Sequence, residues 1–127
     1  MHIDEKRALL ERYLNAYNSF DIERMMELIH QDIEFKNVSG GEVNASASGK
    51  NEFRALAEQS KRLFSSRKQT VTKFNLDGDG ASLKIEYVGV LAANLPNGMK
   101  VGETLQLAGR SEFDFRDGKI YRLTDYS

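Results

Sequence analysis

The side chains best placed to do chemistry are polar residues set in rows that otherwise read as apolar. Asn37 follows Ile33 and Phe35 on the inward parity of one period-two segment, and Ser111 stands between Gly109 and Phe113 on that of another. Tyr13 and Tyr17 lie on the apolar stripe of a helix-spaced segment, and each carries a hydroxyl that needs a partner when buried. Amide, hydroxyl and phenol groups can orient a substrate or a water, but an amide cannot remove a carbon-bound proton. Each residue also has a plain structural reading, a buried Asn or Ser bonded to backbone or a core Tyr with its hydroxyl at the rim. The carboxylate to weigh beside them is Asp125. Its segment, Ile120-Tyr-Arg-Leu-Thr-Asp-Tyr126, has apolar residues on both parities, so pattern alone leaves Asp125 facing in or out.

Other chemistries are poorly supplied. The 127 residues include no Cys, no Trp and two His, which removes disulfides, thiolate metal sites and a Cys nucleophile. His2 lies at a terminus expected to fray, and His30 is expected to end the second helix, capped or solvated. Asp77-Gly-Asp-Gly80 resembles the start of a calcium loop, but Val88 stands where the twelfth-position Glu is needed, so a hairpin turn is expected. No Gly-rich phosphate loop precedes a helix, and no Gly-x-Ser-x-Gly elbow is present. Neither a cofactor nor a metal is expected. The basic run Lys61, Arg62, Arg67 and Lys68 holds only Phe64 as an aromatic, and reads as a solvated helix end rather than a nucleic-acid surface. With 18 Lys+Arg against 19 Asp+Glu, the formal charge of −1 recruits neither nucleic acid nor anionic lipid.

The elements that must position these residues follow from periodicity. Leu10, Tyr13, Leu14 and Tyr17 fall at helical spacing and predict a helix over about 3–18. Asp21 predicts the N-cap of a short second helix with Ile22, Met25, Met26 and Ile29 on one side. A third helix, over roughly 50–65, should bury Phe53, Leu56, Ala57, Leu63 and Phe64. Between the second and third helices, Ile33-Glu-Phe-Lys-Asn37 alternates as a half-buried strand, with Gly40-Gly41 a turn and Asn44–Gly49 a loop or edge segment. In the last half, Leu83, Ile85, Tyr87, Gly89 and Leu91 share one strand face, and Leu105 to Phe115 alternate on another. Pro96-Asn97-Gly98 and Asp117-Gly118 supply the turns. The expected fold is α+β: three helices from the N-terminal half packed on a curved, mainly antiparallel sheet, in one domain spanning 1–127. A sheet curled in this way encloses a cone that can hold a ligand. The N-terminus is charged and no stretch approaches the roughly 18 apolar residues of a membrane span, so a cytoplasmic chain without membrane partners is expected.

Several segments resemble a known superfamily. Arg12-Tyr-Leu-Asn-Ala-Tyr-Asn-Ser-Phe-Asp21, Asp32-Ile-Glu-Phe-Lys-Asn37, Leu95-Pro-Asn-Gly98 and Phe113-Asp-Phe-Arg-Asp-Gly-Lys-Ile120 are similar to nuclear-transport-factor-2-like proteins, most of all to their SnoaL-like branch. The resemblance covers essentially the whole chain and implies a conical α+β barrel with a deep apolar pocket, commonly dimeric through the sheet. Measured against ketosteroid isomerases of this fold, Tyr13 matches the first-helix Tyr, but Asn37 replaces the base and Ser111 the second Asp. Against limonene-epoxide hydrolases, Asp125 matches one catalytic Asp and Asn37 the water-holding Asn. Phe35 replaces the Tyr there, and Tyr87 and Gly89 replace the Arg and the other Asp. SnoaL-type cyclases use an acidic residue of the last strand, which Asp125 supplies by position. Their accompanying His has no counterpart here.

The resemblance therefore implies a pocket for a small, largely apolar ligand. Asp125 would be the general acid/base, with Asn37 and Tyr13 orienting the substrate. Around them the pocket is expected to use Tyr17, Phe35, Phe53 and Leu56, together with Tyr87, Gly89, Ser111 and Phe113. Gly89, lacking a side chain, is expected to leave room for the ligand. The reaction would be isomerisation, cyclisation or epoxide hydration. The rival reading is a non-catalytic ligand-binding or protein-interaction module of the same fold, which is what the absent base and triad members predict, and in either case a homodimer through the sheet is expected.

Overall fold

The computed structural model describes Met1–Ser127. Helix α1 (Ile3–Asn18) opens on a capping box in which the His2 imidazole accepts from the Asp4 N–H and the Glu5 carboxylate accepts from the His2 N–H. His2 is thus a helix cap rather than part of a frayed end. Asp21 caps α2 (Ile22–Leu28) by accepting from the Arg24 N–H. Ile22, Met25 and Met26 are buried on one side of that helix. The chain passes from α2 directly into β1 (Ile29–Ser39), because Ile29 already has extended dihedrals. Ile29 and His30 therefore belong to a strand and not to the second helix. The His30 ring, mostly covered, lies 3.0 Å from Asp117 and packs edge-on against Tyr121.

Strand β2 (Glu42–Ser48) follows the Gly40-Gly41 turn and forms an edge of the sheet. Helix α3 (Lys50–Leu63) ends one residue before β3 (Phe64–Asn75). Strands β4 (Ala81–Leu91), β5 (Thr104–Arg116) and β6 (Lys119–Tyr126) complete a six-stranded sheet of order β2-β1-β6-β5-β4-β3. The β1–β6 pair is parallel and every other neighbouring pair is antiparallel. The fold is the α+β arrangement expected, three helices on a mainly antiparallel sheet. Its curl is visible in α3, which touches β1 and β2 near one edge and β3 at the other.

Strand β3 is the element the hydrophobic pattern does not announce. Its inward row carries Arg67 and Gln69, so the alternation that marks a half-buried strand is missing. Arg67 is buried and not on a solvated helix end. β3 is fastened to the end of α1 instead. The Asn18 amide donates to the Gln69 carbonyl at 3.1 Å and accepts from the Gln69 N–H at 2.8 Å.

The core lies between the helices and the concave face. Leu10, Met25, Ile29, Ile33, Leu83, Ile120 and Leu123 are almost wholly buried, which is the main term favouring the fold. One cation is buried with them. Lys6, on the first turn of α1, reaches the β3–β4 turn, where its ammonium donates to the carbonyls of Leu76 (3.2 Å), Gly80 (3.1 Å) and Gly78. Three carbonyls satisfy all three ammonium donors, so the charge is tolerated in the interior without a carboxylate. The Asp77–Gly80 segment is thus a hairpin turn held by a lysine. Replacing Lys6 with Met keeps the stem but orphans the carbonyls, and is expected to cost about 3 kcal/mol in urea unfolding. Its first visible sign should be faster proteolysis of the 76–80 turn. A loss below about 0.5 kcal/mol would show that water serves those carbonyls equally well.

Candidate functional site

Strand register builds the site. Asn37 on β1 is the cross-strand neighbour of Asp125 on β6, and Ser111 on β5 is its neighbour on the other side. Three adjacent strands therefore present an amide, a carboxyl and a hydroxyl in one row. The Ser111 hydroxyl donates to Asp125 Oδ1 at 2.6 Å, while Oδ2 has no partner in the protein. Burial destabilises the charged form and raises the Asp125 pKa to about 6, the Ser111 hydrogen bond pulling the other way. Asn37 is turned from Asp125 toward the edge strand, its amide donating to Asn44 Oδ1 at 2.7 Å.

Two open lobes meet at this row. The larger, about 360 Å³, lies between the helices and β1. It is lined by Tyr13, Tyr17, Phe35, Phe53 and Leu56, with Asn37 and Asp125 at its sheet wall. The second, about 210 Å³, opens along β4 and β5 and is lined by Tyr87 and Ser111. It shares Tyr17, Asn37 and Asp125 with the first. Asp125 is the sole acidic side chain lining either lobe. Aromatic edges stiffen the walls, with Phe35 against Phe53 at 5.4 Å between centroids and Tyr17 against Tyr87 at 6.3 Å.

Tyr13 lies beneath the row, its ring edge-on to Phe113 at 6.4 Å. Its phenol is held well above the usual range, by burial first and then by the negative charge of Asp125, so it remains a proton donor. Tyr17 donates to the Tyr87 hydroxyl at 3.1 Å, and the Tyr87 pKa is raised mainly by burial.

Two of the residues expected around the ligand are placed differently. A Cβ on Gly89 would stand 2.7 Å from the Phe64 ring, so the room that this glycine leaves is filled by Phe64 and not by the lobes. Phe113 is a core side chain packed under Tyr13 and lines neither lobe. Conversely, Asn44, Ser60 and Arg67 contribute polar groups at or behind the walls without having been singled out as site residues. Asn44 lies in a segment whose pattern fits a loop or edge, and Ser60 is one polar residue among many on α3, with nothing in the sequence to set it apart. Arg67 carried a signal that was misread: it sits on strand parity just beyond a helix.

A family model described as a SnoaL-like domain matches residues 10–123. Among solved structures, a candidate polyketide cyclase from Xanthomonas campestris superposes with a TM-score of 0.80 at 23% identity, over 98% of this chain and 90% of that one. Another candidate polyketide cyclase, from Pseudomonas putida, gives 0.73 at 25% identity over 94% and 88%. An epoxide hydrolase from M. tuberculosis, similar to the limonene-epoxide type, gives 0.77 at 17% identity over 97% and 82%. No curated protein matches the chain. No helix is long and apolar enough to cross a membrane.

The raised pKa of Asp125 has a signed consequence for stability. A carboxyl that titrates near 6 when folded and near 3.8 when unfolded favours the folded state while protonated. That contribution is full below a pH of about 4 and is lost as the pH rises through about 6. Relative to wild type, Asp125→Asn should therefore gain up to about 3 kcal/mol of unfolding free energy between pH about 4 and about 8. A wild-type–variant difference that stays flat over this range would mean that the carboxyl is normally solvated.

Proposed function

The chain belongs to the SnoaL-like domain family, and from that footing we propose that its cleft takes a small, largely apolar molecule on which Asp125 performs general acid/base chemistry. The observation that carries this reading is the state of Asp125. It is the only acidic side chain lining the cleft, with a pKa near 6, one oxygen held by Ser111 and the other free. A base with a pKa just under neutrality is mostly ionised at pH 7 yet still basic enough to take a proton in the transition state.

The favoured chemistry is a proton shift next to a carbonyl. Asp125 Oδ2 takes a carbon-bound proton, the electron pair it leaves forms an enolate, and return of the proton at another carbon completes an isomerisation. Tyr13 would donate to the substrate oxygen, since its buried phenol keeps its proton throughout. Asn37, at the junction of the two lobes, would orient the substrate or a water. The same base would take a proton from that water as the water oxygen attacks an epoxide carbon and the C–O bond of the ring breaks, and the protonated Asp125 would then return the proton to the alkoxide oxygen. The apolar walls made by Phe35, Phe53 and Leu56 favour a ligand with a hydrocarbon body and limit water around the carboxyl.

The test is a screen of β,γ-unsaturated cyclic ketones and aryl epoxides with wild-type protein and Asp125→Asn. We expect turnover that falls about 100- to 10,000-fold in the variant with little change in ligand affinity. The wild-type kcat/KM should rise with pH through about 6, as for a base used ionised. Equal turnover by both proteins would remove Asp125 from the mechanism. Binding with no turnover in wild type would instead identify a non-catalytic binding module.

A further inference from the structure

One charged side chain near the cleft is used by nothing described so far. Arg67, on the inward row of β3, is 5% exposed and takes part in no ion pair. Its Nε donates to the Tyr17 carbonyl at 3.1 Å, at the negative end of the α1 dipole. Its guanidinium lies 3.7 Å from the centre of the Tyr17 ring and 4.5 Å from that of Phe20. Nη1 donates to Ser60 Oγ at 3.4 Å, and Nη2 is buried with no hydrogen-bond partner.

Two unfavourable features thus meet at one place. A buried cation lacks a counter-anion and leaves one nitrogen unpaired. Beside it Phe20 holds a left-handed backbone, φ 59°, which a bulky residue adopts only under constraint. A neutral donor could have capped α1 equally well, so the arrangement leaves a positive charge behind the cleft wall. That charge reaches the cleft, where it opposes the burial that raises the phenols of Tyr13 and Tyr87.

Ser60 connects this charge to the larger lobe. It lies on α3, lines the same lobe as Tyr13 and Asp125, and donates to no protein group. A hydroxyl that accepts from a guanidinium must aim its own proton elsewhere, and the lobe is the open direction.

We propose that Ser60, backed by Arg67, forms a subsite on the helix wall of the cleft for a ligand oxygen bearing negative charge, a carboxylate or an enolate oxygen. The subsite rests on the pocket reading above and sharpens it. The ligand would have an apolar body, one anionic or enolisable oxygen held from the helix side, and its reacting carbon toward Asp125 on the sheet side.

Two fluorescent probes separate this subsite from the pocket itself. Anilinonaphthalene sulfonate carries an anionic group, and phenylnaphthylamine is its neutral counterpart. Displacement of one by the other first establishes a common site. Wild type should prefer the sulfonate. In Ser60→Ala its Kd should rise about fivefold to tenfold while that of the neutral probe stays within about twofold. Ser60→Thr, which keeps the hydroxyl, should restore sulfonate affinity. Arg67→Gln should weaken the sulfonate at least as much, and if that variant does not fold, the two Ser60 variants decide. An unchanged ratio of the two affinities in Ser60→Ala overturns the subsite and leaves the pocket standing. Failure of both probes to bind wild type overturns the subsite together with the pocket.

Discussion

The site depends on one constraint, the partial burial of a carboxyl group on the concave wall of a sheet. Such a group needs a hydrogen-bond donor beside it, and the surroundings must not be so dry that it never ionises. Ser111 provides the donor at 2.6 Å, and the open lobes keep the other oxygen reachable. The strand order meets the same need. β6 lies between β1 and β5, so Asp125 is flanked by Asn37 and Ser111 from strands that are far apart in the chain.

The helices close the opposite wall, and their attachment is polar as well as apolar. α1 is tied to the sheet at both ends. Lys6 holds the β3–β4 turn through three carbonyls, and Asn18 and the Tyr17 carbonyl engage Gln69 and Arg67 of β3. These bonds join the first helix to an edge strand that has little apolar surface of its own. They explain how a strand with Arg67 and Gln69 on its inward row can be held in place, and why its alternation is invisible in the sequence. Gly89 serves the same packing, since the ring of Phe64, the first residue of β3, occupies the space its side chain would need.

Most of the architecture was legible from periodicity. The stripe from Leu10 to Tyr17, the Asp21 cap, the alternating rows of β4 and β5 and the Asp117-Gly118 turn each express a local rule. The α+β class was readable for that reason, while the SnoaL-like relationship rested on the resemblance of segments such as Asp32–Asn37 and Phe113–Ile120 to a known family. The boundaries at Ile29 and Phe64 were not, because in both places helix passes to strand without a loop residue to mark the change. Arg67 was misplaced for a related reason: four basic residues in eight look like a solvated end until one is seen on strand parity and facing in.

By itself the sequence determined the helical stripe of α1, the alternating rows of β4 and β5, the parity of Asn37 and Ser111, and a chemical inventory with no thiol and two histidines. Those depend on residue type and on spacing within one segment. Only the tertiary structure decided that Asp125 faces inward, that its neighbours are Asn37 and Ser111, and that Arg67 stands behind Ser60. Each of these is set by pairing between segments distant in the chain. Side-chain alternation within a strand says that a residue shares a face with its second neighbours, but only register across strands says what stands beside it.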